Sequence, residues 1–146
     1  DINKKFVVCS VRDMEDELRN RPTVTLTQAD GTELLGYSAS FCTDTVCFEA
    51  EDPDYAALTY TPYSNGDDLT LKVDWAKDSE INALGVKMID KNGEVTHREL
   101  PYIQVDAHTF IFEEPFPTDE KDFTLFIKID FVTEGSSQHF FPLQLQ

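Results

Sequence analysis

The stretch Phe123-Thr124-Leu125-Phe126-Ile127-Lys128-Ile129-Asp130-Phe131 decides the fold of this chain. Phe123, Leu125, Ile127, Ile129 and Phe131 take alternate positions, with Thr124, Lys128 and Asp130 between them. Successive side chains of a strand point to opposite faces, so a period of two with one apolar side describes a strand lying on a core. Phe126 breaks the alternation, being apolar where the outer face should be polar. Beyond the turn at Glu134-Gly135-Ser136-Ser137 the chain returns as His139-Phe140-Phe141-Pro142-Leu143-Gln144-Leu145, a second strand whose proline suits an edge or a bulge.

Moving outward, the same period recurs. Leu69, Leu71, Val73 and Trp75 line one face of a strand, and Leu84, Val86 and Met88 do so again before Asn92-Gly93. That dipeptide is a hairpin signal; a two-residue loop pairs Met88 with His97, and a longer loop pairs it with Val95. Thr23-Val24-Thr25-Leu26-Thr27 alternates too, and a two-residue turn at Asp30-Gly31 sets Leu26 against Leu35 and Val24 against Tyr37. Turn residues recur every ten or so positions, with no helical pattern interleaved. The expectation is a mainly all-β chain folded as an antiparallel β-sandwich.

From about Leu69 onward, strand lengths and turn order resemble those of immunoglobulin domains, although no Cys…Trp…Cys framework accompanies them. One short N-terminal helix is expected where Ser10 caps, Val11, Met14 and Leu18 share a face, Arg19 and Arg21 occupy the last turn and Pro22 ends it. Residues 1–146 are read as one sandwich domain, with Tyr55 to Asp68 as a loop within it. The lesser alternative divides the chain into a helix-plus-hairpin subdomain, 1–64, and an immunoglobulin-like one, 65–146.

Composition agrees with a packed fold. The chain has 146 residues, 40% of them apolar and 12% aromatic, enough to bury a core without staples. Its apolar runs are short and broken by charge, so no membrane-inserted helix is expected. The first residues, Asp1-Ile2-Asn3, fit a processed mature protein or an excised domain.

Charge is the unusual property. There are 28 acids against 12 Lys and Arg, a net of −16, unevenly spread. Residues 1–21 carry five of each sign; Pro22 to Leu71 carries nine acids and no Lys or Arg. Such a field repels nucleic-acid phosphates and anionic lipid, and favours a basic protein surface. The densest acidic run, Glu49, Glu51, Asp52 and Asp54, is the expected partner-binding surface.

Of three cysteines, Cys42 and Cys47 flank four residues within a strand-like stretch. In a hairpin they oppose one another across the ladder, at a spacing of about 4.5 Å that a disulfide spans. That bridge implies an oxidising, extracytoplasmic home: periplasmic, secreted or cell-surface. Cys9, in Phe6-Val7-Val8-Cys9, reads as a buried thiol.

Signatures of catalysis are missing. There is no Gly-x-Ser-x-Gly elbow, glycine-rich phosphate loop or paired-histidine metal motif, and His97, His108 and His139 all fall in expected strands. Acid pairs are so numerous that none singles out a glycosidase. No organic cofactor is expected. Calcium is the one metal the acidic loops suggest: Glu49 to Asp54, Asn65-Gly66-Asp67-Asp68, and Asp90-Lys91-Asn92-Gly93-Glu94, which starts like a calcium loop but lacks its remaining ligands. Tyr55, Tyr60 and Tyr63 form a candidate platform for a sugar or other ligand, whereas Trp75 is in phase with the core. The leading expectation is a non-catalytic extracytoplasmic module, adhesin-like, sensory or accessory, that binds another protein. Two alternatives stand beside it: an acidic inhibitor or immunity protein that neutralises a basic enzyme, and a calcium- or carbohydrate-binding module.

Overall fold

A computed structural model describes residues 21–43, 47–64, 68–75, 80–112, 116–117, 120–132 and 135–146. The expected helix before Pro22 and the Cys9 strand lie outside them. The described chain is mostly antiparallel strand with almost no helix, arranged as two sheets in a sandwich.

The first sheet contains β1 (Thr23–Thr27), β2 (Glu33–Leu34), β6 (Leu69–Asp74), β9 (Ile103–Asp106) and β10 (Thr109–Phe112), in the order β2-β1-β6-β10-β9. The second contains β3 (Tyr37–Cys42), β4 (Cys47–Phe48), β5 (Thr61–Tyr63), β7 (Ile81–Ile89), β8 (Val95–His97), β11 (Asp122–Phe131) and β12 (Gly135–Leu145). Its order is β4-β3-β12-β11-β7-β8, with β5 added to β12. Each sheet therefore mixes strands from before and after residue 65: β1 pairs with β6, and β3 and β5 both pair with β12.

The centre of the second sheet is β11. Phe123, Leu125, Ile127, Ile129 and Phe131 of β11 all point inward and are buried. They meet Leu26, Leu71, Phe110 and Phe112 of the other sheet in a single core cluster. Burying a side chain of this kind is worth roughly 1.5–3 kcal/mol, which makes this two-faced interior the main support of the fold. Trp75 closes one end half-buried, its ring 4.4 Å from Phe131 and 5.9 Å from Phe41.

Phe126 has its own partner set. A second, smaller cluster lies on the outer face of the second sheet: Ala39, Ile89 and Phe140, with Tyr55 above them and Phe126 and Leu58 packed against it. The Phe126 ring lies 5.0 Å from Phe140.

Turn geometry corrects the first hairpin. Gly31 N–H donates to Gln28 C=O and Gln28 N–H to Thr32 C=O, so the loop has three residues, with Gly31 at φ 91°. That is a turn followed by a left-handed glycine bulge, and it moves the register by one residue. Leu26 pairs with Leu34, and Leu35 is left 52% exposed. Nor does the hairpin continue to Tyr37: at Gly36, whose α-carbon lies against the Phe141 ring, the chain leaves the first sheet and enters the second as β3.

The Asn92-Gly93 turn is built in the same way, Gly93 donating to Asp90 and Asp90 to Glu94, with Gly93 at φ 82°. Ile89 pairs with Val95, and a bulge then restores Met88 opposite His97. Pro142 lies in a central strand rather than at an edge. On its flank β3 pairing ends at Phe140 and β5 pairing starts at Leu143, so the missing N–H falls where the neighbour changes. The segment from Tyr55 to Asp68, expected as loop, contains a short 3-10 helix (Tyr55–Ala57) and strand β5.

Candidate functional site

The acidic strip begins at a covalent anchor. Cys42 and Cys47 are paired across the β3–β4 ladder with α-carbons 4.0 Å apart, their sulfurs at disulfide distance. The chain then runs back beside β3, where Ala50 N–H donates to the Ser40 hydroxyl at 3.0 Å. Glu49, Glu51, Asp52 and Asp54 are all exposed along this run. The Asp54 carboxylate accepts from Ala56 N–H at 3.2 Å and so caps the 3-10 helix. Among the described residues none of the four carboxylates has an ion-pair partner, so their field is directed at solvent.

The far end of the strip is pinned by packing. The Tyr55 ring lies 6.1 Å from Phe140, edge to face, and also touches the position of Gly93. Burial, with the Asp52 charge behind it, pushes the Tyr55 phenol up. Tyr60 donates from its hydroxyl to Tyr55 C=O at 2.6 Å, and the Lys91 ammonium stands 5.3 Å above its ring. Lys91 also meets the Asp122 carboxylate at 2.7 Å, a contact that raises the lysine pKa.

These contacts correct the expected ligand platform. Tyr63 points inward from β5, 2% exposed, packed edge-on to Phe116 and Phe123. Tyr55 is likewise buried, and only Tyr60 keeps a partly open ring. The three rings share no face because two of them serve two different apolar clusters.

Of the expected calcium loops, Asn65-Gly66-Asp67 lies outside the described residues, and the other two lie within them. Asp90 Oδ1 accepts from Asn92 N–H at 2.8 Å and Glu94 N–H at 3.0 Å, so that carboxylate closes the turn. The acids of the strip are strung out along it. Among the described residues, no three carboxylates, histidines or cysteines converge in a way that could hold an ion.

Of the histidines, His97 ends β8 and His139 lies in β12, but His108 lies in the β9–β10 turn rather than in a strand. His139 carries a feature the sequence reading missed. Its Nε2 is 2.7 Å from the Ser137 hydroxyl and its Nδ1 3.4 Å from that of Ser38. A Ser-x-His on one strand face would have signalled the pair. Although this is the spacing of a nucleophile and its base, Ser137 and His139 are 0% and 2% exposed, beyond reach of a substrate. Burial, and the Arg21 charge nearby, push the His139 pKa down to about 3, so the ring is neutral. Arg21 itself donates to Ala39 C=O and lies over the Phe41 ring.

No protein-family model matches the chain, and no curated protein or solved structure does either. Among the described residues no helix is long and apolar enough to cross a membrane.

Proposed function

We propose that this chain is a non-catalytic, extracytoplasmic binding module that meets a basic protein surface through Glu49, Glu51, Asp52 and Asp54. One observation carries the reading. The four exposed carboxylates lie on a single segment held at one end by a disulfide and at the other by a buried tyrosine. A charged surface fixed in this way loses less conformational entropy on binding than a free acidic loop. The absence of any Lys or Arg from Pro22 to Leu71 leaves its field uncompensated along the sequence.

Strand order supports an immunoglobulin-like reading of the framework. The runs β1-β6-β10-β9 and β12-β11-β7-β8 follow the order in which that architecture arranges its two sheets, with β2 to β5 as an insertion that carries the strip between β4 and β5. The Cys42–Cys47 bond supports an oxidising compartment.

The test is a titration with a fluorescent lysine-rich peptide at low and high salt. It compares the chain with two fourfold charge reversals of equal net charge. One converts Glu49, Glu51, Asp52 and Asp54 to Lys; the other converts the exposed Asp74, Glu80, Glu94 and Glu99 to Lys. The strip variant should lose at least about tenfold more affinity than the control, and most of the salt dependence. Equal losses would assign binding to overall charge and remove the strip from it. An acidic inhibitor of a basic enzyme would use the same carboxylates, but in a reducing compartment. Alkylating the natively produced chain under denaturing conditions, without reductant, separates the two: one modified thiol supports the binding module, three the inhibitor.

A further inference from the structure

We infer that the Cys42–Cys47 disulfide is a local clamp on the acidic strip, and that a dithiol reductant switches the strip between a held and a released state while the sandwich stays folded. The two cysteines are placed asymmetrically. Cys42 belongs to the sandwich: it is half-buried in β3, paired with Ser136 of β12, and its carbonyl is pressed against Gly135. Cys47 is exposed and starts a strand described over only two residues, whose ladder contacts among the described residues are Phe48 with Phe41 and Cys47 with Cys42. Two rungs at a sheet edge hold a strand weakly, so the covalent bond supplies much of what keeps β4 in place. Glu49 follows at once, and the next tie is the single bond from Ala50 to Ser40. The bond closes a loop of only a few residues and therefore constrains the unfolded chain little compared with a long-range bridge. β11 pairs with β12 and β7, and β4 pairs with β3, so the clamp lies two strands away from β11 in the ladder.

Chemically, a thiolate of the dithiol attacks the exposed Cys47 Sγ, and Cys42 leaves as a thiolate that takes up a proton. The second thiol of the reagent then closes on the mixed disulfide and releases Cys47. Two electrons pass to the protein, and the reagent leaves as its own disulfide.

The switch is read by amide hydrogen exchange on the intact chain, oxidised and after reduction with dithiothreitol, alongside the melting midpoint. Protection at 47–50 should fall at least about tenfold on reduction, while β11 and β12 keep theirs and the midpoint drops by no more than about 10 °C. The Cys42→Ser/Cys47→Ser chain should behave as the reduced protein does. Unchanged protection at 47–50, or loss spread across β11 and β12, would each overturn the inference. That the released strip also binds more weakly rests on the proposed function. Release without any change in lysine-peptide affinity would refute that reading of the strip and leave the clamp standing.

Discussion

Acidification should destabilise this protein through one buried ring, and the size of the effect follows from the geometry. His139 is enclosed between the sheets, hydrogen-bonded to Ser137, with the Arg21 guanidinium nearby. Its pKa is about 3 in the folded chain, against about 6.5 when the ring is free in water. Above pH 6.5 both states hold the ring neutral and it contributes no pH dependence. Between 6.5 and 3 the unfolded chain binds one proton more, so stability falls as pH falls, by about 1.4 kcal/mol per unit well below 6.5. From pH 8 to pH 5 the loss amounts to about 2 kcal/mol. Carboxylates titrate in the same range, so the measurement is a difference. Urea unfolding of the native chain and of His139→Gln is followed by fluorescence of the one tryptophan, Trp75, which is packed against Phe131. The glutamine keeps a hydrogen-bonding group for Ser137 but cannot titrate. The gap between the two stabilities should close by about 2 kcal/mol over that pH interval. A gap that stays constant would refute a neutral, sealed His139. Should the variant not fold, an NMR titration of the native chain decides the same point: the His139 resonances should not move above pH 4.5, while those of an ordinary exposed histidine do.

The remaining predictions concern register and the covering segment. Leu34→Asp should cost more than about 3 kcal/mol and Leu35→Asp no more than about 0.5, read from urea midpoints; the reverse order would restore the two-residue turn. Tyr60→Phe should cost about 1 kcal/mol, the worth of its bond to Tyr55 C=O, and leave the core unaffected by near-ultraviolet circular dichroism. Tyr55→Ala removes the ring over Phe140 and should cost about 3 kcal/mol, with faster proteolysis between 49 and 60 as the check.

The fold was legible because burial on one face writes a period of two into the chain, and Phe123 to Phe131 or Leu69 to Val73 can satisfy it in only one way. Register was less legible for a related reason. Leu34 and Leu35 are neighbours of the same type, so a pattern of apolar positions fits either turn length, and only the bulge at Gly31 selects Leu34. The change of sheet at Gly36 left no periodic trace, since β2 and β3 each keep their own alternation. Of the site, the approach of Cys42 to Cys47 could be read because a hairpin over the four residues between them sets the two opposite one another. The tyrosines could not, because an aromatic residue in an irregular segment looks the same whether it faces solvent or returns to the core. Tyr63 returns through a parallel pairing with β12 that no local signal announces.

Phe126 connects these observations. A sandwich sheet needs one apolar face, and β11 meets that need with its five inward residues; an aromatic on the other face has to be covered or it costs solubility. The outer face of the second sheet also carries Ala39, Ile89 and Phe140, so the uncovered area would be a contiguous patch. Residues 49–60 provide the cover, and their composition is divided accordingly: Tyr55 and Leu58 turn down onto the patch, while Glu49, Glu51, Asp52 and Asp54 turn out to water. The position of the acidic strip thus follows from an apolar requirement rather than from charge. Charge then determines what the outward side can meet. The segment is tied at both of its ends, by Cys47 and Phe48 opposite Cys42 and Phe41 at its start and by Tyr55 on Phe140 beyond the acids.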